Sequence, residues 1–175
     1  HRVSWRPAAS EDFVVEEIPA YAPSGEGGHT LVRVEKRDCT TEEVVRSLAS
    51  AAKVAPGEIG YAGRKDRVAI ARQWFSVPNL DPLHALQLTL PHARVLEAAR
   101  HPHKLRTGHL RGNAFEMRGK RVVELAVDGA TINAKLARRL MLTPEWDRVS
   151  VKSAAEQRKL LDEVKKRLSK WESEE

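Results

Sequence analysis

One carboxylate in this chain, Asp66, stands in a glycine-entered turn among cations, within Gly60-Tyr61-Ala62-Gly63-Arg64-Lys65-Asp66-Arg67-Val68-Ala69-Ile70. Gly60 and Gly63 permit backbone angles that a Cβ resists, so the chain can turn sharply there and lie close to a ligand. Arg64, Lys65 and Arg67 favour the ionised form of Asp66 and attract polyanions. An anion held in this way suits nucleophilic or base chemistry next to phosphate groups. The same residues also make an ordinary surface turn, in which Asp66 caps the next element or pairs with an arginine.

A second feature is a long basic stretch. From Arg94 to Arg121 the cations Arg94, Arg100, Lys104, Arg106, Arg111, Arg118, Lys120 and Arg121 are interleaved with His92, His101, His103 and His109, and only Glu97 and Glu116 oppose them. A charge run is often just a solvated face. This one also holds Gly108, Gly112, Asn113 and Phe115, the small, amide and aromatic residues that nucleic-acid surfaces combine with cations. Metal chemistry is not expected, because His101 and His103 stand two apart in a Pro-containing loop with no matching ligand pair. The chain has no phosphate-binding Walker loop, dinucleotide glycine fingerprint or Gly-x-Ser-x-Gly elbow. Cofactor-free chemistry is what these absences leave.

These residues need elements to position them. Phe13-Val14-Val15-Glu16-Glu17-Ile18 reads as a short strand and Leu31-Val32-Arg33-Val34-Glu35 as another, joined by the glycine-rich Pro23 to Gly28. Thr40-Thr41-Glu42-Glu43 opens a helix with a capping box, and Val44, Val45, Leu48, Ala49 and Ala52 share one face of it. Gln73-Trp74-Phe75-Ser76-Val77 reads as a strand just after Asp66, so that the aspartate would sit in a loop with rigid neighbours. Ala93 to Ala99 mixes helix-forming residues with strand context, and part of it is expected as strand. Asn113 to Arg118 alternates and reads as a strand. Thr131 to Leu142 reads as a helix ended by Thr143-Pro144, and Ser153-Ala154-Ala155-Glu156 opens a further helix with an apolar stripe of Leu160, Leu161, Val164, Leu168 and Trp171.

At 175 residues the chain holds one sizeable core, or a domain with an appendage. Its 41% hydrophobic and 31% charged residues suit a soluble globular protein, and no stretch approaches a membrane span. The lone Cys39 and the lack of a signal-like segment fit a reducing cytoplasm.

Five separated segments resemble the TruD-type tRNA pseudouridine synthases. They are Glu11-Asp12-Phe13-Val14-Val15-Glu16-Glu17; Ser24-Gly25-Glu26-Gly27-Gly28-His29; Val34-Glu35-Lys36-Arg37 with Thr40-Thr41; Gly60 to Arg67 with Gln73-Trp74; and Lys104-Leu105-Arg106-Thr107-Gly108-His109-Leu110-Arg111-Gly112-Asn113-Ala114-Phe115. The resemblance implies that Asp66 is the catalytic aspartate and that Phe13, Asn113 and Phe115 line the target-uridine pocket. It implies an isomerase acting on tRNA, with uridine 13 as the family's expected target. Lys65, Arg67, Lys104, Arg106 and Arg111 are then candidate RNA phosphate contacts, and no metal or cofactor is called for. Phe13 and Phe115 have core packing as their plainer alternative.

The resemblance runs roughly from Ser10 to Arg118, and the family's Asn-Tyr-Phe-Gly-x-Gln-Arg-Phe-Gly motif is not found after Arg121. The expected architecture is α+β: a mainly antiparallel sheet with helices on one face, as half of a pseudouridine-synthase fold over 1–127, followed by a helical extension over 128–175. A half sheet wants covering, which points to a homodimer or a partner protein. Beside the enzyme stands a second expectation, a catalytically incomplete RNA-binding module of the same family.

Overall fold

The computed structural model describes residues 13–65 and 70–174. They divide into two compact units, one formed by Val14–Arg111 and the other by Phe13 together with 112–174.

The first unit is built on strands β1 (Phe13–Pro19), β2 (His29–Lys36), β3 (Gly60–Tyr61), β4 (Ile70–Pro78) and β5 (Ala93–His101). Their order is β5-β2-β4-β1, with β3 on β4. β1 runs parallel to β4, with Val14 opposite Ile70, and the other pairings are antiparallel. Alternation sorts the residues of β2 and β4 onto two faces. Val32, Val34, Phe75 and Val77 meet Val44, Val45, Leu48 and Ala49 of helix α1 (Thr41–Ala52) and Ala85 of the short helix α2 (Pro82–Leu86) in one buried cluster, so both helices cover the same face. The capping box of α1 forms as expected. Thr40 Oγ1 accepts from the Glu43 amide at 3.2 Å, and Glu43 Oε2 accepts from the Thr40 amide at 2.6 Å.

The opposite face is charged. Glu16 accepts from Arg33 at 2.6 Å and from Arg72 at 3.2 Å, and Arg72 also reaches Glu35 at 3.1 Å. Burial pushes the Glu35 carboxyl up, but the guanidiniums of Arg72, Arg94 and Arg37 outweigh it and hold the group below the usual carboxylate range.

The second unit is an antiparallel meander of β6 (Leu110–Met117), β7 (Lys120–Asp128), β8 (Thr131–Ala137) and β9 (Trp146–Val151), followed by helix α3 (Ala154–Ser173). Arg118 and Gly119, at φ of 50° and 75°, make the two-residue turn between β6 and β7, as a twist-matched hairpin requires. Here one expectation fails: Thr131 to Leu142 is not helical, and the segment 128–175 is two strands and one helix rather than a helical extension. Asp128 pairs with Thr131, and Gly129-Ala130 is the two-residue hairpin turn between them, with Gly129 at φ 59°. Beyond it, Ile132, Ala134 and Leu136 alternate with Asn133 and Lys135 and lie opposite Val127, Leu125 and Val123 of β7. Pairing with a formed neighbour overrides the helix preference of Ala, Leu, Lys and Arg.

The helix from Ser153 does form, and its stripe is half right. Leu168 and Trp171 are buried, whereas Leu161 is 50% exposed. Ser153 Oγ accepts from the Glu156 amide, while the Glu156 carboxylate accepts from Lys152 rather than from Ser153. Arg167 ties α3 down through Asp147 at 2.8 Å and the Ala137 carbonyl at 3.0 Å. The Arg118 guanidinium donates to the Glu174 carbonyl at 2.7 Å, at the helix C-terminus, where a cation is favoured.

Candidate active site

The polypeptide leading to Asp66 is held at successive residues. Gly60 sits where a Cβ would collide with the Leu105 carbonyl and the Ser76 hydroxyl, so only glycine allows β3 to lie against that loop. The Ala62 carbonyl accepts from the Gly108 amide at 2.9 Å. Gln73 donates to the Gly63 carbonyl through a short contact, and its side-chain oxygen accepts from Thr41 Oγ1 at 3.1 Å. Thr41 Oγ1 in turn accepts from the Lys65 amide at 2.9 Å. The first residue of α1 and the middle of β4 thus clamp 63–65 from both sides. Asp66 and Arg67 lie outside the described residues.

Lys65 carries the second part of the clamp. Its ammonium lies 3.2 Å from Glu17 Oε2, with 9% of the lysine side chain and 1% of the glutamate side chain exposed. The other carboxylate oxygen of Glu17 accepts from the Trp74 amide at 3.2 Å. Burial raises the Glu17 pKa above the ordinary value, against the pull of Lys65 and the Trp74 N–H, and the charge of Glu16 adds to the rise. Arg64 makes an exposed pair with Glu42 at 2.8 Å. The 63–65 segment is therefore braced, and Arg64 and Lys65 are both matched to carboxylates.

The three residues expected at a uridine pocket fall in the second unit. Phe13 and Phe115 are brought together, ring centroids 5.8 Å apart and planes inclined by 31°. Asn113 stands two residues before Phe115 on β6 and therefore on the same face of the strand. Its Oδ1 is buried and, among the described residues, accepts no hydrogen bond. Gly112, beside it, has no room for a side chain, since a Cβ would run into the Leu125 carbonyl of β7. Buried polar atoms are nearly always partnered, so an orphaned amide oxygen on the strand face that carries Phe115 marks a place for a ligand donor or a water.

Of the candidate phosphate contacts, Lys104 donates to the Gly57 carbonyl at 2.6 Å, and Arg106 and Arg111 are exposed with no ion pair among the described residues. Sequence reasoning assigned no role to Glu17, Thr41 or Gln73. Their contacts to the 63–65 segment join residues up to 48 positions apart, and no local pattern records them.

Comparison with known proteins places these motifs. A family model for tRNA pseudouridine synthase D (TruD) matches residues 7–142, reaching past Arg118 and through the β7–β8 hairpin. A tRNA pseudouridine synthase D from Geobacter metallireducens is 48% identical over 131 residues, covering 74% of this chain and 32% of that protein. One from Anaeromyxobacter dehalogenans is 50% identical over 109 residues, covering 62% and 31%. A crystal structure from Methanosarcina mazei, assigned to tRNA pseudouridine synthase D, superposes with a TM-score of 0.56 at 28% identity, over 69% of this chain and 26% of that one. The chain spans about a third of the length of the curated relatives it matches. With the family's motifs in order, its model matched over most of the chain and its fold reproduced, the chain belongs to the tRNA pseudouridine synthase D (TruD) family.

Proposed function

We propose that this chain supplies the aspartate-bearing part of a tRNA pseudouridine synthase, an isomerase that converts a uridine in tRNA, at position 13 by family expectation, to pseudouridine. The reaction breaks the N-glycosidic bond, turns the base and rejoins it to the ribose through carbon. It needs an ionised carboxylate near the sugar, and Asp66 is the candidate. The observation that carries the reading is the orphaned Asn113 Oδ1 on the β6 face that carries Phe115, itself in contact with Phe13. A base taken out of its stack loses stacking and hydrogen bonds, and aromatic rings with an unpaired amide replace both. Arg67, Lys104, Arg106 and Arg111 meet phosphates, while the Lys65 ammonium is already committed to Glu17 and braces the loop instead.

A second reading rests on length. Because the chain spans about a third of its relatives, it can hold structured RNA and still lack part of a reaction site. Incubation with unmodified tRNA followed by mass-spectrometric detection of pseudouridine separates the two. Turnover that disappears in Asp66→Asn, with RNA affinity retained, supports the synthase; binding without turnover in the parent supports the binding module. Equal turnover by parent and Asp66→Asn removes Asp66 from the chemistry. The expected homodimer or partner protein is a separate proposal, and a monomeric mass in light scattering at roughly ten times the RNA-binding concentration would end the dimer version.

A further inference from the structure

The first unit contains a pocket of about 610 Å³, half of whose lining residues are histidines: His29, His101, His103 and His109, with Tyr21, Pro102, Lys104 and Arg106. No carboxylate is among the described residues that line it. Tyr21 stacks on His101, with centroids 4.8 Å apart and planes within 12°, and meets His109 edge-on at 6.0 Å. The loop before β2 packs on the strand end beside this wall. The Gly25 amide donates to the Arg100 carbonyl at 2.9 Å, and Gly27, at φ 119°, lies so near Pro102 that a Cβ would overlap its backbone.

The hydrogen-bond assignments orient these rings. His101 Nδ1 accepts from the Ser24 amide at 3.3 Å, so its ring proton sits on Nε2. His109 Nδ1 accepts from the Arg106 amide at 3.3 Å, which places its proton on Nε2 as well. Burial, with the neighbouring His103 and His29 behind it, holds the His101 pKa below the ordinary value. His29 Nδ1 is buried and has no hydrogen-bond partner among the described residues. The Gly57 carbonyl takes one of the three hydrogens of Lys104. To this wall Lys104 and Arg106 bring charged N–H donors, and His101 and His109 each bring an Nε2–H. Base edges present donors and acceptors together, whereas a phosphodiester presents acceptor oxygens and negative charge alone. Among the described residues no group of three or more His, Cys, Asp or Glu side chains is arranged to hold a metal ion.

We propose that the pocket formed by Tyr21, His29, His101, His103, Arg106 and His109 is a subsite for a backbone phosphodiester of the bound RNA strand. It rests on the reading that the chain handles RNA. The flat Tyr21–His101 stack backs the sugar, and the imidazole N–H groups and guanidinium hold the phosphate oxygens.

The test uses the whole chain with histidine ring nitrogens labelled with 15N, and two probes, a single-stranded RNA dodecamer and inorganic phosphate. Binding of the dodecamer should shift the His103 and His109 ring resonances. In fluorescence anisotropy with unmodified tRNA, replacing exposed His103 and Arg106 together by alanine should weaken binding about tenfold, the loss expected for a charge-assisted contact. Replacing the exposed Arg139 and Arg148 by alanine should change affinity less than about twofold. Ring resonances unmoved at saturating dodecamer, or equal losses in both double variants, overturn the proposal. Rings that respond to inorganic phosphate and not to the dodecamer assign the pocket to the free anion and also overturn it. Pseudouridine formation that survives with parental tRNA affinity in the pocket variant removes this subsite and leaves the synthase reading intact. Ring shifts and weakened binding in a chain that never forms pseudouridine do the reverse.

Discussion

Replacing Lys65 by methionine should destabilise the protein in a pH-dependent way, because it strands the Glu17 carboxylate. The two charges lie 3.2 Å apart with 9% and 1% of their side chains exposed. At an effective dielectric of about 20 that separation corresponds to about 5 kcal/mol of attraction, against a desolvation cost of similar order. The pair as a whole is therefore near balance, but removing one partner leaves the cost unopposed, about 3–5 kcal/mol. Glu17 can escape by taking up a proton. Its pKa is raised by burial even with Lys65 present, and loss of the cation raises it further. The sign follows: a carboxyl whose folded-state pKa exceeds its unfolded value contributes stability below the unfolded value, near 4.3, and loses it as pH rises through the folded one. Thermal unfolding followed by circular dichroism at about pH 7 should show the melting temperature of Lys65→Met lowered by roughly 10 °C, with the deficit shrinking at about pH 5. The double variant Glu17→Gln, Lys65→Met should recover most of the loss, since a neutral amide still accepts from the Trp74 N–H. Equal deficits at both pH values, or a double variant no better than the single one, would refute the buried-pair account.

Three further outcomes are expected. Thr40→Ala removes the forward arm of the α1 capping box and should cost about 1 kcal/mol in urea unfolding, while Thr40→Ser should cost little. Gly112→Ala drives a Cβ into the Leu125 carbonyl, so β6 and β7 must part. A loss of about 1–3 kcal/mol should appear, and a variant as stable as the parent would show the strands are not that close. Asp147 is held below the usual carboxylate range, first by its hydrogen bond from Arg138 at 2.7 Å and then by Arg167. Its contribution is present above the unfolded value near 3.9 and is lost as pH falls through the folded one. Amide protection factors in α3, taken against the intrinsic rate at each pH, should therefore fall on acidification toward about pH 3, and less so in Asp147→Asn, which no longer has this charge to lose.

How much of this could be read from the chain alone depended on the range of the interaction. The α1 start was legible because Thr40 and Glu43 are three residues apart and their bonds are local. β8 was not legible because its helix-forming composition is a local quantity, whereas its pairing with β7 belongs to the hairpin as a whole. The local sequence signal for that hairpin is Gly129, whose positive φ serves the turn between Asp128 and Thr131. The Phe13–Phe115 contact was reachable only through family resemblance, since it joins residues far apart in the chain.

The cations show the same limit at the functional site. In sequence, Lys65, Arg72, Arg106 and Arg111 are alike: each is a positive charge within a family motif or beside one. In the fold they part. Glu17 binds Lys65 deep in the clamp, and Glu16 and Glu35 share Arg72 across the sheet face, whereas Arg106 and Arg111 are exposed with no ion pair among the described residues. A cation already matched to a buried carboxylate has lost its hydration and gained its counter-charge, so a phosphate must displace that partner before it can bind. An exposed cation exchanges only mobile counterions, and their release drives nucleic-acid binding. RNA affinity should therefore follow the exposed arginines, while the buried pairs govern whether the aspartate loop keeps its shape. Alanine at Arg111 should flatten the salt dependence of tRNA binding and leave the melting temperature alone; alanine at Arg72 should lower the melting temperature first.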